Sequence, residues 1–171
     1  MVTLIRILML VVGFSTSSVR AENAAISFPD NWAQVSQLSR ETQIPIMMIF
    51  TAADCGYCMK LKQEVVLPML ESGDFSERAL VRAFDMDIGG KITDFDGERV
   101  RRRIFVNRYE VFATPTVVIV DDQGEGLIAP LVGFNEADSY VPRLHEKLDD
   151  AKTALAILRD PNLVLLSDDR R

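Results

Sequence analysis

The chain has 171 residues, 48% of them apolar, with 19 basic against 25 acidic side chains and a formal net charge of −6. That is enough apolar material for one compact domain with a core of its own, and too little for two. The acidic balance argues against nucleic acid and against an anionic membrane surface as partners.

Arg6 precedes the apolar stretch Ile7 to Phe14, and Val19-Arg20-Ala21 places small residues three and one positions before a cut. Residues 1–21 are therefore expected to be a removed signal peptide. A membrane anchor is the competing reading, but the apolar core falls well short of the roughly 20 residues that span a bilayer. Loss of Arg6 and Arg20 leaves a net charge of −8. The expected localisation is periplasmic, an export compartment where disulfides persist or are exchanged by dedicated partners. Residues 22–150 then form the domain and 151–171 a C-terminal helical extension and tail. No repeat, low-complexity stretch or Gly/Ser-rich linker divides the chain.

Asp30 is expected to cap a helix whose apolar positions Trp32, Val35 and Leu38 recur at helical spacing. Pro45 then starts the strand Ile46 to Phe50, whose continuous apolar run belongs in the middle of a sheet. A helix is predicted from Cys55 to about Leu67, with Leu61, Val65 and Met69 near one face and Pro68 kinking or ending it. A second helix capped by Asp74 follows. Leu80 to Met86 reads as the next strand, Gly89 to Gly97 as a polar excursion, and Glu98 to Tyr109 as a helix burying Val100, Ile104 and Phe105. Thr116 to Val120 is a β-branched strand, Asp121 to Gly126 a turn, and Leu127 to Val132 its antiparallel partner. Asn135 is expected to cap the closing helix, with Tyr140, Val141, Leu144 and Leu148 as its buried stripe. Beyond it the chain continues helically to about Arg159 and breaks at Pro161. The apolar run Leu163 to Leu166 then packs back on the domain or grips another protein.

Cys55-Gly56-Tyr57-Cys58 holds the only two cysteines, at the head of a predicted helix. Three positions apart on a helix, their side chains share a face and lie within reach of a disulfide that can open and close. Zinc needs four ligands, and the chain offers two thiols and one histidine, His145, far along the last helix. Met47 and Met48 read as core filling rather than as copper ligands. Arg99, Arg101, Arg102, Arg103 and Arg108 read as a solvated helical face, the competing reading being a dock for an acidic partner.

The element order is α/β, with helices joining the early strands and a hairpin before the closing helix. With the Cys pair heading the helix after the first central strand, and Ala113-Thr114-Pro115-Thr116 entering the hairpin, it resembles the thioredoxin fold from Phe28 to Leu148: a mixed sheet flanked by helices with a terminal hairpin and closing helix. That resemblance implies a cis bond between Thr114 and Pro115 and a close backbone approach at Gly133. Cys-Gly-Tyr-Cys with Lys60-Leu61 after it is similar to bacterial periplasmic disulfide isomerases and reductases. Thr93-Asp94-Phe95-Asp96-Gly97 is similar to periplasmic thioredoxins associated with sulfur-oxidation gene clusters. The separate dimerisation domain of the isomerases is lacking, which favours a monomer.

The implied chemistry is thiol–disulfide exchange. Cys55, at the first helical turn, faces unpaired N–H groups that favour its thiolate and is the expected nucleophile; Cys58, one turn deeper, is the resolving thiol. Gly56, Tyr57, Thr114 and Pro115 are the expected substrate-binding residues, with the backbone at Thr114 pairing with an extended substrate. The implied partners are protein or small-molecule disulfides and a membrane or soluble thiol reductant, without nucleic acid, cofactor or metal. Two departures from thioredoxins stand out. Ile49 occupies the position of their usual buried carboxylate, leaving water or Glu64 to move the Cys58 proton. Asp54 replaces their tryptophan before the first cysteine, as a solvent-facing turn residue or as a helix cap competing with Cys55. Two other function classes compete: a copper-handling thioredoxin-fold protein, and a binding module whose disulfide is a staple.

Overall fold

The computed structural model describes residues 26–160 and 162. The expected signal peptide and the run Leu163 to Leu166 lie outside the described residues. A four-stranded sheet has the order β2-β1-β5-β6, where β1 is Ile46–Thr51, β2 Leu80–Asp85, β5 Thr116–Val120 and β6 Leu131–Val132. Strand β1 runs parallel to β2 and antiparallel to β5, and β5 pairs antiparallel with β6. A two-stranded hairpin, β3 (Lys91–Thr93) with β4 (Arg99–Arg101), stands apart from it.

Alternation along β1 builds two cores, because successive side chains point to opposite faces. Met47 and Ile49 join Leu61, Val65, Met69, Leu144 and Leu148 beneath α2 (Gly56–Leu61), α3 (Leu67–Glu71) and α5 (Ala137–Arg159). Ile46, Met48 and Phe50 face the other way, against Trp32, Phe84, Phe95 and Phe105. That second core lies under α1 (Trp32–Thr42), α4 (Arg102–Arg108) and the hairpin. Its rings are in direct contact: Phe105 stacks on Phe84 and on Phe95 with centroids 5.1 and 5.8 Å apart.

Several local expectations are corrected. Asn31, not Asp30, caps α1, its side chain accepting from the Gln34 N–H, because the Asp30 carboxylate is held by Arg102 at 2.8 Å. Pro68 does not end the helix. A π-helical segment, Lys62–Val66, joins α2 to α3 and shifts the hydrogen bonds from i−4 to i−5, the Leu67 N–H reaching the Lys62 carbonyl. The wider turn gives the ring and the missing N–H of proline room that an α-turn lacks. Residues 72–78 form turns rather than a helix, and Asp74 pairs with Arg78 and His145. The closing helix starts at Ala137 after an extended Glu136, with no side-chain cap. An edge-on contact of Phe134 with Tyr140 fixes its entry instead of Asn135. It continues unbroken to Arg159, burying Ala151 and Leu155.

The largest difference lies between β2 and β5. Part of the predicted excursion is β3, and the predicted helix from Glu98 begins as β4, so α4 starts only at Arg102. Ile104 consequently faces solvent, while Phe105 is buried. The arginines there do not form one solvated face. Arg102 is buried over the Phe84 ring, and Arg108 holds the buried Asp94 with both terminal nitrogens. The hydrogen bond to Asp94 tightens the Arg108 proton, and burial pushes the neighbouring Tyr109 phenol above its ordinary range.

Candidate active site

Parallel pairing sets the carboxyl ends of β1 and β2 side by side, with Thr51 opposite Asp85. Such ends are where α/β sheets bind ligands. The chain leaves β1, turns through Ala53 and Asp54, and enters α2 at Cys55, whose extended backbone makes it the N-cap. Sγ of Cys55 accepts a hydrogen bond from the Cys58 N–H at 3.1 Å, doing the work that a serine or aspartate oxygen does at other helix starts. The cysteines are joined as a disulfide with Cα atoms 5.2 Å apart. Cys58 is 6% exposed, whereas Cys55 is half-buried at the surface.

Thr114 and Cys55 line one groove of about 650 Å³, together with Gly56, Tyr57 and Lys60. The Thr114–Pro115 bond is cis. Pro115 is buried behind the groove wall, its carbonyl accepting from the Gly133 N–H at 2.8 Å. Of the six residues singled out in the sequence, four reach the groove, while Cys58 and Pro115 sit behind it. The reason for Gly133 differs from the one expected: a Cβ there meets nothing within 4 Å, but φ is +77°, a conformation that disfavours other residues. At Gly56 a Cβ also meets open space, so the fold does not demand glycine there.

The two departures from thioredoxins take definite form. Ile49 is buried in the same apolar cluster as Leu61, and Glu64 is exposed on the π-helical segment. Neither puts a buried carboxylate beneath the pair. Asp54 is exposed and does not cap α2, since Cys55 does.

Sequence reasoning missed Asp87. Its Oδ2 accepts the Ala53 N–H at 2.7 Å, tethering the loop before Cys55, and the residue lines the groove. The available signal was its place just beyond a strand parallel to β1. Also unanticipated is Phe112, 91% exposed two residues before Thr114.

The sequence profile of the thioredoxin-like domain matches residues 33–147, more than half of the chain. The chain belongs to the thioredoxin-like family. As a thioredoxin-like protein with a CXXC pair at disulfide distance, it is a thiol–disulfide oxidoreductase by fold and site. Among solved structures, the chain is similar to the DsbH oxidoreductase, with 20% identity and a TM-score of 0.52 over 80% of this chain and 94% of that one. It is also similar to a poplar thioredoxin h, with 21% identity and a TM-score of 0.48 over 75% and 95% of the two chains. The periplasmic thioredoxin SoxS from Paracoccus pantotrophus gives 19% identity and a TM-score of 0.45 over 63% and 98%. At these identities the likeness is one of fold. No curated protein sequence matches the chain.

Proposed function

We propose that this protein is an exported, monomeric thiol:disulfide oxidoreductase that reduces or exchanges the disulfides of partner molecules through Cys55 and Cys58. The observation that carries this reading is the unequal setting of the two sulfurs: Cys55 opens on the groove as the helix cap, and Cys58 is buried behind it. The Cys58 N–H, which Sγ of Cys55 already accepts in the disulfide, and the positive end of the helix favour the Cys55 thiolate once the pair is reduced.

The thiolate attacks one sulfur of a partner disulfide, forming a Cys55–partner bond and expelling the partner's other sulfur as a thiolate that takes up a proton. Cys58 then gives up its proton and attacks Sγ of Cys55. The Cys55–Cys58 bond forms and the second partner sulfur leaves, so two electrons pass to the partner. A thiol reductant, membrane-bound or soluble, restores the dithiol. Gly56 and Tyr57 offer the rim of the groove to the partner, and the backbone at Thr114, set by Pro115, pairs with its extended segment. With Ile49 apolar and Glu64 exposed, water carries the Cys58 proton. Export to the periplasm rests on the pattern from Arg6 to Ala21.

Reduction of insulin by the full chain, and trapping of mixed disulfides by Cys58→Ser in periplasmic extracts, test the reading. Capture of disulfide-bearing proteins on Cys55 supports it. A bridge that resists mild reductant, with loss of fold in Cys55→Ser, would instead make the disulfide a staple.

A further inference from the structure

The hairpin gathers positive charge onto one face of an acidic protein. In an antiparallel pair, directly opposite residues project to the same side, with Cβ atoms roughly 5 Å apart. Ile92 and Val100 are opposite and turn inward, so Lys91 with Arg101, and Arg99 with Thr93, turn outward. Like charges placed directly opposite oppose the pairing that holds the hairpin together. Lys91, Arg99, Arg101 and the adjacent Arg103 are all exposed, and none pairs with a carboxylate among the described residues. Of the two turn acids nearby, Asp96 is engaged with its own backbone, accepting from the Glu98 N–H, and the exposed Glu98 pairs with none of these cations among the described residues.

A cleft of about 260 Å³ opens beside this face, lined by Arg101, Arg102 and Arg103 on one side and by Asp87, Gly89 and Gly90 on the other. A Cβ on either glycine would meet nothing within 4 Å, so the backbone there is open to close approach, next to the Met86, Asp87 and Ile88 side chains that also line the cleft. Asp87 lines both this cleft and the Cys55 groove, so the two flank one residue.

We infer that the β3–β4 hairpin and the cleft beside it dock an acidic segment of the disulfide-bearing protein whose sulfur reacts at Cys55, an inference that rests on the proposed oxidoreductase reading. Guanidinium groups grip carboxylates through paired N–H donors, and the alternate cations Arg99 and Arg101 match an extended chain carrying carboxylates. The net charge of −6 makes the face a local reversal of sign rather than part of a field suited to nucleic acid or lipid.

The test compares peptide disulfides of one design with acidic or basic flanks as substrates of the reduced full chain, with uncharged hydroxyethyl disulfide as the basal reaction. At low ionic strength the acidic flank is expected to give about tenfold higher kcat/KM than the basic one. High salt, or the exposed double change Arg99→Glu with Arg101→Glu, should abolish that preference while leaving hydroxyethyl disulfide reduction unchanged. Binding of a cysteine-free acidic peptide, followed by fluorescence anisotropy, should weaken in the same variant. Equal use of both flanks, a preference or binding that survives in the variant, or tighter binding of duplex DNA or phosphatidylglycerol vesicles than of the acidic peptide would overturn the inference. If the wild type does not reduce hydroxyethyl disulfide, the oxidoreductase reading falls, and the cysteine-free peptide still decides the docking.

Discussion

The β1–α2 junction and the hairpin with α4 make their structure in opposite ways. At the junction everything is local: a strand, a short turn and a helix start bring Cys55, its amide donor and Cys58 together within four residues. The hairpin region is assembled from afar. Asp94 finds Arg108 fourteen positions away, and Arg102 finds Asp30 seventy-two positions away. The Phe95 ring sits against Gly124, where a Cβ would come within 2.5 Å of it. Chemistry that depends on backbone donors survives sequence change around it, whereas a layer built of buried charge and stacked rings fails when one partner is lost.

The sharpest way to break this contrast is at the sulfur. Cys55→Ser should lower disulfide reduction by about a thousandfold or more while the protein stays folded by circular dichroism, because removing a nucleophile removes the whole pathway. Arg108→Ala should do the reverse. Leaving the Asp94 carboxylate buried without its partner is expected to cost about 3 kcal/mol, and to lower Tm by roughly 10 °C in a scan, with the pH dependence of Cys55 alkylation unchanged.

A smaller effect is expected at Asp122, which bridges Arg40 at 2.9 Å and Arg159 at 3.2 Å. Burial alone raises its carboxyl, but hydrogen bonds from Gln123 and Arg159 outweigh it and hold the folded-state pKa below the ordinary value. Its contribution is therefore present above the unfolded pKa and is lost as pH falls through the folded one. Asp122→Asn should be about 1 kcal/mol less stable near neutrality and converge with the wild type below about pH 4 in urea titrations. The smallest effect belongs to Asp54→Asn. An exposed carboxylate beside the groove, not capping the helix, should move the Cys55 titration down by only a few tenths of a pH unit, about what a screened charge delivers. A fall of a full unit would restore Asp54 as a competitor for the helix amides.

The same contrast governs how much was legible in the sequence. The apolar run Ile46 to Phe50, the Cys55–Cys58 spacing and Thr114-Pro115 announce themselves because each rests on neighbours along the chain, and the thioredoxin fold followed from their order. The hairpin was hidden: Arg99 to Arg108 has a helical pattern of charges, and only the long-range claims of Asp30, Asp94 and the aromatic layer turn its first residues into a strand. Asp30 lost its expected role as a cap for the same reason, its carboxylate being taken by Arg102. Asp87 was marked only by its place just beyond β2, because its contact with Ala53 exists only once β1 and β2 lie parallel.

The central claim is that Cys55 presents a stabilised thiolate at the groove while Cys58 is shielded behind it. Alkylation of the reduced protein with iodoacetamide across about pH 4 to 9, with the modified residue mapped by mass spectrometry, tests it directly. The account predicts modification of Cys55 alone, with a midpoint below the ordinary thiol value of about 8.5. Modification of Cys58 first, or a midpoint at or above that value, would contradict it.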